Sequence, residues 1–310
     1  MAAELSFKKT MEFEYGVPAA LAPGVVRLVA NNPSPFTFKG TNTYIVGTSE
    51  LALIDPGPDD PAHFDAIMRT VAGRKVSHVL ITHTHRDHTD GLAKVRAATG
   101  AKTCGYGRTA LKPGDARLSP SGSEFVDQDF APDIVMKHGD RLSGPGWDLE
   151  AVFTPGHAPD HLCFALADRR LLFSGDHVMA WNTTVVAPPE GNMADYMASL
   201  DRLLARAAND DIYLPGHGGR IDNPDRVVRA FIVHRTWREQ AILGAIRDGT
   251  STVRAIVSLV YQDLDARLVT AACLSVLAHV EHLISRGLVW CDGPPTFDRQ
   301  LAAVSAPARP

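Results

Sequence analysis

The segment Thr82-His83-Thr84-His85-Arg86-Asp87-His88-Thr89-Asp90-Gly91 carries the strongest signal in this 310-residue chain. It directly follows a short apolar run that is typical of a buried strand. His83 and His85 are two residues apart at the end of that predicted strand, so we expect both side chains to project from one face. Asp87 and His88 follow where the chain turns toward a predicted helix, and they can face a second position beside the first. Three imidazoles and one carboxylate within six residues predict a site for first-row transition metals.

Three later segments each place a candidate ligand on a glycine-bearing turn after a predicted strand. They are Thr154-Pro155-Gly156-His157, Ser174-Gly175-Asp176-His177 and Leu214-Pro215-Gly216-His217-Gly218. Glycine lets the backbone fold tightly around a site, and such loops commonly carry functional residues. Any one of these histidines alone would more often be a core or loop residue than a ligand. Together with the first segment, and in this order, they are not independent accidents, and they strengthen the prediction of a metal site.

The composition is that of an ordinary globular protein, with 45% apolar and 21% charged residues. The formal net charge of −4 excludes a globally basic nucleic-acid coat but leaves a local basic groove open. Four isolated cysteines without a C-x-x-C pair give little support to a disulfide framework or a thiolate zinc site. The sequence contains no apolar run near the roughly 18 residues of a membrane span, and its first residues lack an apolar signal region. We therefore expect a cytoplasmic protein that does not bind membranes.

The pattern along the chain predicts two folded parts. About 220 residues alternate short β-rich runs with helical stretches, and a long helix over Val227–Ile246 follows. The predicted strands are Val25–Ala30, Tyr44–Val46, Leu51–Ile54, Val79–Ile81, Trp147–Phe153, Leu162–Leu166, Leu171–Phe173 and Ile212–Leu214, and the predicted helices are Pro61–Val71, Leu92–Ala98 and Met193–Ala207. Helix, helix and strand then occupy Ser251–Tyr261, Ala266–Ser285 and Leu288–Cys291, which fits a small winged-helix-like module or a plain helical cap. The predicted units are a catalytic domain over 1–222, a connecting helix over 223–247, a winged-helix-like domain over 248–302 and a disordered tail over 303–310.

With these motifs the sequence resembles the metallo-β-lactamase superfamily over about residues 20–222. The H-x-H-x-D-H segment at 83–88, the T-P-G-H turn, the S-G-D turn and the P-G-H-G turn match its successive motifs. Asp55, in Leu53-Ile54-Asp55-Pro56-Gly57, matches the early aspartate that braces the metal loop. The resemblance implies an α/β fold, an αββα sandwich with the site at one edge of the paired sheets.

The resemblance also implies a ligand set and a pair of metal ions. His83, His85 and His157 would bind metal one, Asp87, His88 and His217 would bind metal two, and Asp176 would bridge the pair. Zn²⁺ suits imidazole-rich ligands with two carboxylates, while Mn²⁺ and Fe²⁺ stay open. The expected reaction is hydrolysis by a metal-bridging hydroxide that Asp87 orients. For a catalytic role beside Asp87 we name His161, which either donates a proton to the leaving group or orients a ligand, and His177 has the same alternatives.

The ligand set narrows the branch of the superfamily. Lactam-cleaving members with two zinc ions commonly have Cys in place of Asp176 and are exported, and flavodiiron oxygen reductases have Glu in place of His85. A single-iron persulfide dioxygenase stays open. Gly40-Thr41-Asn42-Thr43-Tyr44, His157-Ala158-Pro159-Asp160-His161 and His234-Arg235-x-x-Arg238-Glu239 are similar to lactamase-β-like hydrolases. That group joins this domain to a C-terminal winged-helix-like domain and includes a mitochondrial single-stranded-RNA endoribonuclease.

Three functions follow from these observations. The first is a dinuclear metal-dependent hydrolase that acts on a small molecule or on single-stranded RNA as a phosphodiesterase. The second is a glyoxalase II-like hydrolase of thioesters or small esters, and the third is a winged-helix DNA-binding regulator with the metal domain as a sensor. Residues 236–302 hold six Arg and seven acidic residues, which disfavours RNA or DNA binding by bulk charge. We therefore expect no DNA partner, and we expect this module to pack on the catalytic domain, frame the cleft or form a homodimer contact.

Overall fold

Short apolar runs in the first 220 residues form two β-sheets in the computed structural model, which describes residues 7–107, 125–261 and 264–304. The first sheet has seven strands in the order β1 to β7. They are β1 (Ala19–Ala22), β2 (Val25–Val29), β3 (Asn42–Gly47), β4 (Glu50–Ile54), β5 (Lys75–Leu80), β6 (Lys102–Gly105) and β7 (Ile134–Val135). Strands β1 to β4 pair antiparallel, and β4 to β7 pair parallel.

The second sheet has five strands in the order β12-β11-β10-β9-β8. They are β8 (Arg141–Gly144), β9 (Trp147–Phe153), β10 (Leu162–Leu166), β11 (Leu171–Gly175) and β12 (Ile212–Pro215). The pairs are antiparallel except for β11 with β12, which are parallel. Alternate residues of the two sheets, such as Tyr44, Leu149 and Phe173, meet in one apolar core between them.

Helices cover the outer faces of both sheets. They are α1 (Pro61–Val71), α3 (Leu92–Thr99) and α4 (Met193–Ala205), whereas the one-turn helix α2 (Arg86–Thr89) lies in the loop after β5. α1 begins where the Asp60 side chain accepts a hydrogen bond from Ala62 N and proline occupies the first helical position. α1 and α3 share an apolar core with the first sheet, while α4 shares one with the second. The layers are therefore helix, sheet, sheet and helix, which confirms the predicted αββα sandwich.

The C-terminal part is a small helical module with a two-stranded sheet. Its elements are α5 (Pro224–Arg247), α6 (Val253–Val260), α7 (Val269–Ser285), β13 (Val289–Cys291) and β14 (Leu301–Ala303). α5 belongs to both parts, because Val228 and Phe231 lie in the core under the second sheet while Ile242 and Ile246 lie in the core of the module. The connecting helix thus joins two cores, and the predicted winged-helix-like architecture is confirmed.

Three details of the sequence-based prediction differ from the structure. Strand β5 ends at Leu80, so His83 and His85 lie in the loop beyond it, and their shared direction does not come from strand alternation. The helix α2 and the short strands β1, β6, β7, β8 and β14 were not predicted. The predicted disordered tail begins at 303, but Ala303 pairs with Val289 in the last sheet, and residues 305–310 lie outside the described residues. No helix among the described residues is long and apolar enough to span a membrane.

Candidate metal centre

The candidate ligands lie at one edge of the two sheets, on loops that follow the ends of strands. In the second sheet β9, β11 and β12 run in the same direction, so their carboxyl ends meet at one edge. His157 follows β9, Asp176 directly follows β11 and His217 follows β12. Leu162 N donates to Thr82 O at 2.7 Å, which joins the sheets here. The loop after β5 is therefore placed beside the three turns that sequence analysis singled out.

Two buried side chains of β3 fix the turn that carries His217. Asn42 Nδ2 donates to Pro215 O at 2.8 Å and to Gly218 O at 2.9 Å. Tyr44 Oη donates to Pro215 O at 2.7 Å. The Asn42 and Tyr44 side chains therefore fix the turn that carries the candidate ligand His217.

The first ligand set consists of three histidines whose nitrogens converge. His83 Nε2 lies 2.9 Å from His85 Nδ1, and His157 Nε2 lies 3.1 Å from the same atom. The three ligand atoms, one from each side chain, all lie within 4.8 Å of one another, so a single cation can bind all three. The structure therefore brings together the predicted ligands of metal one.

The second set combines two histidines with carboxylates. Asp87 Oδ2 lies 3.4 Å from His88 Nε2 and 3.3 Å from His217 Nε2. Asp176 contacts both sets, because its Oδ2 lies 3.1 Å from His217 Nε2 and 3.7 Å from His157 Nε2, and its Oδ1 lies 3.6 Å from His88 Nε2. This is the position that a bridging carboxylate requires.

The other ring nitrogen of every candidate histidine ligand has a partner outside the site. The pairs are His83 Nδ1 with Thr82 Oγ1 (3.0 Å), His85 Nε2 with Glu190 Oε2 (3.4 Å), His88 Nδ1 with Asp55 Oδ2 (2.8 Å), His157 Nδ1 with Val185 O (2.7 Å) and His217 Nδ1 with Gly40 O (3.3 Å). Such partners fix the ring orientation and the tautomer of a metal ligand. With the neutral ring's proton on the outward nitrogen, the inward nitrogen of each ligand offers its lone pair to a cation.

Unpaired buried atoms show that the residues fit a cation. His88 Nε2 and Asp176 Oδ1 are buried and have no hydrogen-bond partner among the described residues. Buried polar atoms normally have partners, and an exception calls for a ligand, ion or water. An imidazole nitrogen and a carboxylate oxygen that lie 3.6 Å apart without a hydrogen bond are suitable ligands for a divalent cation.

The charges of the site favour ionised carboxylates. Burial by itself would raise the pKa of Asp176, but the His217 and His88 imidazoles hold that pKa well below its ordinary value. For His88, burial would lower the pKa, yet the Asp87 carboxylate and its neighbours raise the pKa to about 9. Burial lowers the pKa of His157 to about 4. His157 is therefore neutral at pH 7, whereas a cation bound at His88 must displace a proton.

Asp55 braces the loop from the end of β4. This buried carboxylate accepts hydrogen bonds from Thr82 N, Thr82 Oγ1 and His88 Nδ1, each at 2.8 Å. Its backbone has a φ of 52°, in the left-handed region that non-glycine residues rarely adopt. The bracing role that the resemblance implied for Asp55 matches these contacts.

His161 is buried behind Asp176 and both of its ring nitrogens are occupied. Its Nε2 accepts a hydrogen bond from Asp176 N at 3.1 Å, and its Nδ1 lies 2.9 Å from Thr154 Oγ1. A nitrogen that accepts from a backbone N–H has no proton for a leaving group. These contacts favour the alternative in which His161 orients a ligand, and its part in the reaction stays a prediction. His177 is buried against Tyr196, and neither ring nitrogen has a partner among the described residues.

Several partners of the ligands had no signal of their own in the sequence. Glu190 lies on the loop after β11, and Val185 and Gly40 contribute only backbone carbonyls. Thr41 Oγ1 donates to Asp87 Oδ2 at 2.8 Å, and only its place in the motif at 40–44 could have indicated it. Gly216 allows close approach, because a Cβ there would overlap Asp176 Oδ1.

Comparisons with known proteins agree with this geometry. Residues 36–217 match the family model "Metallo-beta-lactamase superfamily", and residues 252–293 match "Beta-lactamase associated winged helix domain". The chain therefore belongs to the metallo-beta-lactamase superfamily, and a beta-lactamase-associated winged helix domain follows its metallo-beta-lactamase domain in sequence.

Curated relatives cover different shares of this architecture. A "Beta-lactamase-like protein 2 homolog" from Drosophila melanogaster is 30% identical over 287 residues, which cover 87% of this chain and 92% of that protein. A "Lactamase-like protein" from Pestalotiopsis microspora is 34% identical over 230 residues, which cover 73% of this chain and 64% of that one. An "Atrochrysone carboxyl ACP thioesterase" from Aspergillus fumigatus is 33% identical over 232 residues, covering 74% and 66%. The chain thus spans less than two thirds of these fungal relatives.

Solved structures show the same fold along nearly the whole chain. A metallo-beta-lactamase family protein from Thermus thermophilus superposes with a TM-score of 0.74 at 24% identity, covering 92% of this chain and all of that one. A beta-lactamase domain protein from Burkholderia ambifaria gives a TM-score of 0.77 at 22% identity, covering 93% and 94%. Both likenesses are to the fold alone.

Proposed function

We propose that this protein is a dinuclear metal-dependent hydrolase, in which the two ligand sets and Asp176 would hold two divalent cations that supply an activated water. The observation that supports it is the shared carboxylate of Asp176, which contacts His157 of the first ligand set and both His88 and His217 of the second. A single-metal site would not need a carboxylate aimed at both sets.

Two divalent cations bound here would supply Lewis acidity and lower the pKa of bound water toward neutrality. Zn²⁺ is the preferred cation, with Mn²⁺ and Fe²⁺ as alternatives. The chain's own residues hold and orient these ions. Asp87 is the residue that we assign to orienting the attacking water, and Thr41 fixes its carboxylate by donating to Oδ2 at 2.8 Å. The protein thus needs no activated serine or cysteine as nucleophile.

The surroundings of the site favour a substrate with negative charge. Trp181 lies against Gly218, the residue after the ligand His217, and its ring stacks on Phe38 with centroids 5.0 Å apart. Lys9 Nζ lies 5.6 Å from the Trp181 ring, and a second lysine follows Phe38 in sequence. Ammonium groups attract phosphates and carboxylates, so a phosphodiester such as single-stranded RNA is our first candidate substrate.

Thioester hydrolysis is the second candidate. It is favoured by the relative from Aspergillus fumigatus whose name states a thioesterase activity. The winged-helix module weighs against nucleic acid as the bulk ligand, because its acidic residues slightly outnumber its arginines. A DNA-binding regulator would leave the complete ligand set without a role, and specific gel shifts without any hydrolysis would be needed to support it.

The experiment compares turnover of single-stranded RNA, bis(p-nitrophenyl) phosphate and S-lactoylglutathione by protein loaded separately with Zn²⁺ or Mn²⁺. His85→Ala and Asp176→Ala proteins are the controls. Phosphodiester cleavage that both substitutions abolish would support the first candidate, and thioester cleavage alone would support the second. Fully metallated protein without hydrolysis of any of these substrates would contradict the proposed reaction.

A further inference from the structure

The segment Thr183–Val185 lies between the connecting helix α5 and two of the candidate metal ligands. Val185 O accepts the hydrogen bond from His157 Nδ1 at 2.7 Å. Thr184 Oγ1 lies 2.7 Å from Asp176 O and 3.0 Å from His177 O. The Thr184 hydroxyl therefore donates its hydrogen bond to the backbone at the bridging ligand. Movement of this short segment would therefore shift a ligand of the first set together with the bridging carboxylate.

Arg235, on α5, contacts the Thr183–Val185 segment. Arg235 Nη2 donates to Thr184 O, and the guanidinium lies 5.3 Å from the ring of Tyr196. Tyr196 Oη in turn donates to His177 O at 3.0 Å. Both residues thus contact the backbone around Asp176: Arg235 acts through Thr184, and Tyr196 binds the carbonyl of His177.

The cost of burying Arg235 indicates that it is not there for stability. Its side chain is 3% exposed, and its Nε has no partner among the described residues. A buried charge with unmet donors is expensive, and replacing such groups by apolar residues of similar volume is often neutral or stabilising. The neighbouring buried positions of α5, Val228, Phe231 and Ile242, are indeed apolar. A guanidinium at this position needs another reason.

We propose that Arg235 is a positioning residue for the metal centre. It fixes the Thr183–Val185 segment and so sets the placement of His157 and Asp176. This inference rests on the metal centre of the proposed function, and it assigns to the connecting helix a direct influence on metal binding. It also explains how α5, which is shared by both cores, reaches the site without contributing a ligand.

The test uses Arg235→Met, which keeps an unbranched but shorter side chain and removes the donors, and Arg235→Lys, which keeps the positive charge and one donor nitrogen. Arg238→Met is the matched control, because Arg238 lies on the same helix and stacks on Tyr261 of the C-terminal module, 4.1 Å from its ring centroid. Affinity for Zn²⁺ is measured by competition with a chromophoric chelator, the ligand field by the visible spectrum of the Co²⁺ protein, and folding by thermal unfolding of metal-free protein.

We expect Arg235→Met to fold and to bind Zn²⁺ about 10-fold more weakly, the lower end of the effect of removing a group that supports a metal ligand. Its Co²⁺ spectrum should change, Arg235→Lys should recover part of the affinity, and Arg238→Met should match the wild type within about twofold. An Arg235→Met protein with wild-type affinity and spectrum would overturn the inference.

A second variant decides the matter if Arg235→Met does not fold. Thr184→Val removes the hydroxyl donor to Asp176 O and leaves the carbonyl that Arg235 binds, so it tests whether the Thr183–Val185 segment places the bridging ligand, and it should weaken Zn²⁺ binding. Unchanged Zn²⁺ binding with an unchanged Co²⁺ spectrum would show that the segment does not place Asp176, which would overturn the inference. None of these measurements needs a substrate. Wild-type protein that binds no metal would refute the proposed function itself, whereas equal binding by wild type and variants would refute only the role of Arg235.

Discussion

The substitution Asp55→Asn tests whether one buried carboxylate holds the metal loop. Asp55 accepts from Thr82 N, Thr82 Oγ1 and His88 Nδ1, so it needs acceptors on both oxygens. Asparagine has the same shape but only one acceptor oxygen, and in either orientation its amide N–H₂ faces a donor. The change therefore breaks at least one hydrogen bond and removes the negative charge beside His88, with almost no change in volume.

The expected magnitude can be estimated in two ways. A hydrogen bond to a charged group contributes about 1.5–3 kcal/mol. Loss of a group that supports a metal-binding histidine weakens metal binding by about 10–100-fold, which is about 1.4–2.7 kcal/mol at about 1.36 kcal/mol per decade. Both estimates predict the larger effect on the ion that His88 holds, because Asp55 contacts His88 directly and reaches His83 of the first set only through Thr82 Oγ1.

The assay is a Zn²⁺ titration against a competing chelator, with stoichiometry from native mass spectrometry. The ion that His88 holds should bind about 10–100-fold more weakly in Asp55→Asn, while binding of the other ion changes less. Asp133→Asn is the matched control, because Asp133 Oδ2 accepts from Thr103 N at 2.8 Å and Thr103 Oγ1 at 3.0 Å, away from the metal centre. Equal weakening of both ions, or of neither, would refute the reasoning.

Three further predictions concern other parts of the structure. Because His161 accepts from Asp176 N, His161→Gln should lower the rate by less than about 10-fold and keep the shape of the pH–rate profile, whereas loss of the alkaline limb with a larger decrease would identify a general acid. Burial lowers the pKa of His63 to about 4, so the unfolded chain binds its proton more tightly and stability falls as pH drops below about 6.5. The free energy of unfolding measured with urea should therefore decrease between pH 7 and pH 5 by about 2 kcal/mol less for His63→Gln than for the wild type. Equal decreases for the two proteins would contradict this. Gly216→Ala should weaken metal binding by at least about 10-fold because its Cβ would overlap Asp176 Oδ1, while Gly244→Ala, which meets no atom within 4 Å, should bind metal normally.

Sequence reasoning succeeded where residue type and local periodicity carry the information. The helix over Pro61–Val71 and the strands Trp147–Phe153 and Leu162–Leu166 have the predicted bounds. The ligands were recognisable because imidazoles and carboxylates are rare in such density on turns after strands. Their nearness in space came from the resemblance, and in the structure it comes from the common edge where the ligand-bearing strands end.

The partners that orient the ligands and the short strands could not be predicted from the sequence, because the partners include backbone atoms and the short strands have weak patterns. The carbonyl groups of Gly40 and Val185 orient two ligands, and a carbonyl has no sequence signature. Short strands such as Arg141–Gly144 are too brief and too polar for periodicity to reveal them. The partner of Arg235 is likewise a backbone carbonyl on a loop 51 residues away in sequence, which no sequence pattern indicates.

The central claim is that one shared carboxylate joins two cation sites. The most direct measurement is native mass spectrometry of the protein after reconstitution with Zn²⁺, in parallel with Asp176→Ala. The account predicts two ions per wild-type chain and at most one tightly held ion in the variant. A wild-type chain that holds only one ion, or a variant that still holds two with unchanged affinity, would contradict it.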